Sequence, residues 1–209
     1  LEARIVGRER RALRASFLPS APASQDGLDQ LISRLDAHYG GLVTMMRDTA
    51  SIVTGAFVQG IRSGRISELA LFDHDYTAVP GTDPQQYTTT GLAFFEEILP
   101  AIQDPVPARD PRIEFCVAID INGWLPVHQK RHSQPQRPGD RAWNMANSRN
   151  RRIYGSNVGA FAARAMRPYI LQACPRDMGG SEPALIATID VPLQLLGRNW
   201  GGLRLGYRL

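Results

Sequence analysis

The sequence predicts an α+β fold: a long helix toward the N-terminus, an antiparallel β-sheet of about five strands, and a helical insert between two groups of strands. Three observations predict it. Apolar residues recur at steps of three and four from Asp26 to Ser63, the pattern changes to a strand-like run at Arg112, and further strand-like runs close the chain between Tyr169 and Tyr207.

Residues 1–24 carry Arg4, Arg8, Arg10, Arg11 and Arg14 and then Pro19-Ser20-Ala21-Pro22. They read as a basic linker or a truncated helix with a solvated face. Residues 25–66 read as one long amphipathic helix, with Leu28, Leu35, Leu42, Met46, Val53 and Phe57 on its stripe. Gly40-Gly41 is its expected weak point, since each glycine costs about 1 kcal/mol inside a helix, and Gly64 fits its stop. A stripe this long needs a partner, either the downstream domain or the same helix of a second subunit in a homodimer. The Met45-Met46 pair reads as core.

Residues 67–209 form the expected second region. Asp73 to Thr90 is polar and turn-rich, and a short helix over about 90–103 turns Phe94, Phe95, Leu99 and Ile102 inward, with Pro100 bending or ending it. Arg112–Asp120, the turn dipeptide Asn122-Gly123 and Trp124–His128 predict a β-hairpin. Residues 129–167 make the polar, arginine-rich, partly helical insert. Tyr169–Cys174, Ala184–Leu196 and Trp200–Tyr207 predict three meandering strands, with Pro192 marking an edge or a bulge. One face of the sheet should pack on the long helix and the other under the insert.

Composition removes several functions. Lys130 is the only lysine, and no GxxxxGK[ST] occurs, which excludes a P-loop. A pyridoxal Schiff base would depend on Lys130 alone. No GxSxG, CxxC, HExxH or strand-borne GxGxxG is present, and no carboxylate spacing marks an acid/base pair, so nothing argues for an enzyme. No stretch approaches the ~20 apolar residues of a membrane-spanning helix. The net charge of +4, carried almost wholly by arginine, keeps one other class open: an interaction module for nucleic acid or protein. Nucleic acid is not the expected partner.

Five stretches taken together resemble a known family. They are LFDHDYTAVPGTDPQQYTT (71–89), FCVAIDINGWLPVHQ (115–129), WNMANSRNRRIY (143–154), RPYILQACPRDMGG (167–180) and VPLQLLGRNWGGLRLGY (191–207). In this order, after a long helix, the chain resembles the PAS-like Cache sensor domains of bacterial methyl-accepting chemotaxis proteins and related signal transducers. The resemblance spans roughly residues 64–209. It implies a PAS/Cache-like sensor domain at 67–209, a helical stem at 25–66 that relays a signal through a dimer, a small-molecule ligand, and a signalling partner in the full-length protein. The family pattern has a cysteine where Ser148 stands, tends to have a histidine where Asn199 stands, and has a tyrosine-arginine pair near Ala173–Pro175. If those groups hold a ligand, this chain binds a different one or none. Cys116 and Cys174 read as buried thiols of a reducing compartment. They point to the cytoplasm, or to the periplasm if the chain is a trimmed sensor domain.

In a PAS-like fold the ligand sits between the sheet and its covering helices. The expected ligand-binding residues are Trp143, Arg149, Arg151, Arg152 and Tyr154 of the insert, with Tyr169 and Asp177 from the strand and turn beyond it. Guanidinium groups beside aromatic rings recognise a carboxylate or phosphate by paired hydrogen bonds and stacking. The structural alternative is that these arginines pair with Asp140, Asp177 or Asp190 and hold the insert down. His128 and His132 are four apart, but on a strand end and loop rather than a helix, so no metal site is expected. His128, beside the apolar strand, is the candidate axial ligand if the domain is instead a haem-based (or, with another cofactor, flavin-based) redox or gas sensor.

Overall fold

The computed structural model describes residues 3–9, 12–17, 22–155, 163–164, 167–176 and 184–208. They form an α+β structure in two compact units, Leu1–Thr44 and Met45–Leu209, and the division falls inside the long helix. No helix among the described residues is long and apolar enough to cross a membrane.

In the first unit, β1 (Ala3–Glu9) and β2 (Ala12–Phe17) pair antiparallel, from Ala3↔Phe17 to Glu9↔Ala12. This ladder replaces the truncated helix or linker expected there. Ile5 and Val6 are β-branched and Gly7 is a poor helix former, so the run favours extended backbone despite its arginines. Helix α1 spans Pro22–Arg62 and is continuous through Gly40-Gly41. Two penalties of about 1 kcal/mol are small against the cooperative hydrogen bonding of so long a helix. It stops as expected, with Gly64 at φ +72° and its N–H donating to Ile61 O at 3.0 Å.

The second unit holds the main sheet, β5 (Ile113–Asp120), β8 (Ile170–Arg176), β9 (Ala184–Leu195) and β10 (Arg198–Arg208), in the order β5-β10-β9-β8 and antiparallel throughout. The three C-terminal strands meander as predicted. Leu196 and Gly197, both at positive φ, make the two-residue turn that joins β9 to β10. The β8–β9 ladder begins at Ile170↔Asp190, so among the described residues Val191–Leu195 have β10 on one side only. Pro192 lies in this half-open stretch, where a missing N–H breaks no second ladder.

The predicted hairpin of Arg112–Asp120 with Trp124–His128 does not form, which leaves four strands rather than five in the main sheet among the described residues. The turn itself is there: Gly123 sits at φ +87° and its N–H donates to Asp120 O at 2.9 Å. Beyond it, β6 (Trp124–Leu125) pairs with β7 (Arg152–Ile153) of the insert. Two buried glutamines explain the difference. On the edge of β5 away from β10, Ala118 N–H donates to Gln103 Oε1 at 2.6 Å, and Cys116 O accepts from Gln129 Nε2. Side-chain amides thus satisfy backbone groups that a returning strand would have used. The Asp120 carboxylate accepts from the N–H groups of Asn122 and Trp124 at 2.9 and 2.8 Å, which fixes the chain's exit.

The shorter helices are α2 (Glu68–Leu71), capped by Ser67, α3 (Leu92–Gln103), which continues past Pro100 for most of a turn, and α4 (Arg141–Asn147), capped by Asp140. The polar passage before α3 contains a small ladder, β3 (Thr77–Ala78) with β4 (Tyr87–Thr88). The core on one side of the sheet joins α1, α3 and the strands. Met46 Sδ lies 4.0 Å from Cys116 Sγ, and the Phe57 ring meets Trp200 at 5.0 Å and Phe95 at 5.5 Å. Cys116 is a buried free thiol, as expected, and the side chain of Cys174 lies outside the described residues. Trp200 Nε1 donates to Leu71 O at 2.9 Å, so its polar atom is satisfied inside this cluster. On the opposite face Phe115, Val117 and Ile119 cluster with Leu125, Ala163 and Tyr154.

Candidate functional site

The insert-side face of the sheet carries charge in its interior. In the ladder register Arg204 lies opposite Val117 on one side and Asp190 on the other, so all three share the face of Phe115 and Ile119. Arg204 Nε donates to Asp190 Oδ1 at 2.6 Å, and Thr188 Oγ1 donates to Asp190 Oδ2 at 3.2 Å. The two charged side chains are 10% and 2% exposed. Gly202 and Gly206 flank Arg204 two residues away on the same face, which leaves its guanidinium without β10 side-chain neighbours there. At Gly206 that space is occupied by the Phe115 ring, 2.2 Å from where a Cβ would stand. Gln172, next in the register beyond Thr188, has a buried Nε2 without a hydrogen-bond partner among the described residues.

The expected insert residues are partly gathered beside this face. Arg149 is buried, its Nε donating to Ala146 O at 3.1 Å, and its carbonyl accepts from Tyr154 OH at 2.9 Å. Arg152 lies over the Tyr154 ring at 5.1 Å and reaches Met145 of α4. Tyr154 in turn packs against the cluster that Phe115, Val117 and Ile119 form with Leu125 and Ala163. Arg151, by contrast, is committed to Glu96 of α3, with Nε 3.0 Å and Nη2 2.5 Å from Oε1. That is the insert-holding role, with a different carboxylate from the three considered. Trp143 stacks under Arg137, whose guanidinium carbon is 3.9 Å from its ring, and Tyr169 is exposed. Asp177 lies outside the described residues.

His128 is buried at the end of the apolar run. Its ring faces Phe115 at 5.7 Å and His132 at 4.8 Å, and its Nδ1 accepts from Gln129 N–H at 2.8 Å. With Nδ1 as acceptor, a neutral ring carries its proton on Nε2 and has no lone pair there for an axial metal, so the residue does not fit the haem role in this arrangement. His128 and Arg151 also line a cavity of about 360 Å³ between α3 and the insert, together with Lys130 and Glu96. Burial pushes His132 down to about 4, with the nearby charges of Arg149 and Arg131 acting the same way. Among the described residues no group of three or more His, Cys, Asp or Glu is placed to hold a metal ion.

At the positions where the chain departs from the family pattern, Ser148 is buried and donates to Gln134 O, and Asn199 Nδ2 donates to Ala163 O at 3.1 Å while its Oδ1 is buried without a partner among the described residues. Both polar side chains are engaged in local structure. Burial raises the Asp120 carboxyl above the usual range, although it accepts from Tyr76 OH and two backbone N–H groups.

Arg204, Thr188 and Gln172 are absent from the residues expected from sequence. A signal was present for Arg204: in Gly202-Leu203-Arg204-Leu205-Gly206 the leucines alternate with a charge, which puts that charge on the second, equally covered face. The chain matches no family model, no curated protein and no solved structure.

Proposed function

We propose that the chain is a non-enzymatic sensory domain of the PAS-like Cache kind, as in bacterial chemoreceptors, which takes a small organic acid or amino acid between sheet and insert and relays a shift to α1. The observation that carries this reading is the Arg204–Asp190 pair on the covered face. Desolvating two ions costs several kcal/mol each, and an apolar pair of similar volume fills a core at lower cost. Charge is therefore better suited to a face that receives a polar guest than to one that only packs. Arg204 supplies a cation, Gln172 an amide donor, Asp190 and Thr188 an acceptor and a hydroxyl, and Phe115 and Tyr154 the apolar wall.

The reverse face of the same strands supports the relay. Cys116, next to Phe115 and Val117, touches Met46, and Trp200 of β10 touches Phe57, so a displacement of β5 or β10 reaches α1 directly. A ligand preference of about 1–3 kcal/mol between two arrangements is enough to bias output. In the full-length protein α1 would associate in a homodimer and hand the signal to a partner region.

The test is a thermal-shift screen of organic acids, amino acids, purines and nucleotides, with calorimetric titration of the hits. Binding is expected from the first two classes and should be lost in Gln172→Leu and Thr188→Val. A screen without hits, or hits indifferent to both variants, removes the reading.

A further inference from the structure

A second cleft, of about 390 Å³, opens on the other side of the sheet, where α1 passes the half-open stretch of β9. Arg47, Ser51 and Thr54 stand along it at steps of four and three on one helix face, with Arg167 just before β8 and Val191 and Gln194 from β9. None of the described residues that line it is acidic. This is unusual for this molecule. Eight described arginines, among them Arg65, Arg151 and Arg198, each have a carboxylate within ion-pair distance. Arg47 and Arg167 have neither an ion pair nor a hydrogen bond among the described residues, yet they line the same hollow.

Two like charges sharing a cleft without a counter-charge repel, and the repulsion is relieved by an anion that both can reach. The Ser51 hydroxyl, one turn along from Arg47, has no partner among the described residues and adds a neutral donor. Thr54 is different, since its hydroxyl donates to Ala50 O and Ser51 O at 3.0 and 3.1 Å and so keeps only acceptor capacity. Ala50, Val191 and Pro192 give the cleft an apolar floor. From this donor set we infer that the cleft is a binding site for a small doubly charged oxyanion, a phosphate or a dicarboxylate, held between α1 and the β8–β9 side of the sheet. The site is separate from the face that bears Arg204 and stands without the sensory reading. An anion there bridges the helix to the sheet and strengthens their contact.

The experiment is isothermal titration of the whole chain with inorganic phosphate and, separately, with succinate, at constant ionic strength set by chloride. At least one of the two should bind, and the one that does identifies the anion class. Losing one charge-assisted contact should weaken binding by roughly 10–100-fold in Arg47→Gln and equally in Arg167→Gln. Arg62→Gln removes the same charge from the exposed end of α1 and should leave affinity unchanged within about twofold. Because the three substituted side chains are exposed, all variants should melt with the parent in chloride alone. Absence of heat with both anions overturns the inference. So does binding that survives both cleft variants, or that falls equally in Arg62→Gln, which would mark a general charge effect.

Discussion

Replacing Arg204 by methionine tests how the covered face is held. The substitution keeps much of the side-chain volume but leaves Asp190, 2% exposed, facing an apolar neighbour in place of a guanidinium 2.6 Å away. Breaking one half of a buried pair costs about 3–5 kcal/mol, because the remaining charge stays desolvated. The loss should depend on pH in a particular direction. A carboxylate left desolvated without its cation is protonated more readily than one in water, so the folded variant gains protons that the unfolded chain does not hold. The variant's deficit is therefore greatest near neutral pH and shrinks as pH falls toward 4. Urea unfolding monitored by circular dichroism at pH 7 and pH 5 reads both effects. Arg204→Met/Asp190→Leu should recover most of the loss, since neither charge remains. A single-variant cost under about 1 kcal/mol at pH 7, or a double variant no more stable than the single, would refute the reasoning.

Four further outcomes are expected. His132 is neutral in the fold down to about 4, whereas the unfolded chain protonates below about 6.5; stability should fall as pH drops across that window. The ceiling is ~3 kcal/mol, reduced to about 1–2 for a half-buried ring, and His132→Asn, whose amide can take the place of the ring Nδ1 that lies 3.1 Å from Ala146 O, should flatten that part of the urea-midpoint profile. Phe57→Ala opens the cluster with Phe95 and Trp200 and should cost about 3–5 kcal/mol by urea unfolding. Gly123→Ala puts a Cβ 2.8 Å from Tyr154 O at φ +87° and should lower stability by at least ~1 kcal/mol, with an altered Trp124 near-ultraviolet signal. Burial pushes the Cys116 thiol up to about 12, so in a Cys174→Ser background a thiol reagent should label it only on unfolding.

The elements that announce themselves by period were readable from sequence. The stripe through Met46, Val53 and Phe57 gave α1 its buried face, and Asn122-Gly123 gave the turn, because both depend on neighbours in the chain. The path of the chain beyond that turn depends on Gln103 and Gln129, which lie outside the hairpin segment and cap an edge from the side. No local pattern shows that a strand's second edge is already occupied. The site divides in the same way. Arg149, Arg152 and Tyr154 are close in sequence and come together, while Arg204, Asp190 and Gln172 meet only through the order of β10, β9 and β8. Arg151 illustrates the limit of composition: its type suits a ligand, and the α3 residue Glu96, unremarkable in sequence, already holds it.

Pro192 has an effect on how molecules meet one another. Among the described residues the far half of β9 has a rim with no strand beside it, the kind of template onto which a stray segment of another polypeptide can add and seed aggregates. A pyrrolidine ring in the middle of that rim offers no donor and obstructs a close neighbour, so recruitment stalls there. The residue that looks like a flaw in the longest pairing of the sheet thus acts as its guard against uncontrolled growth.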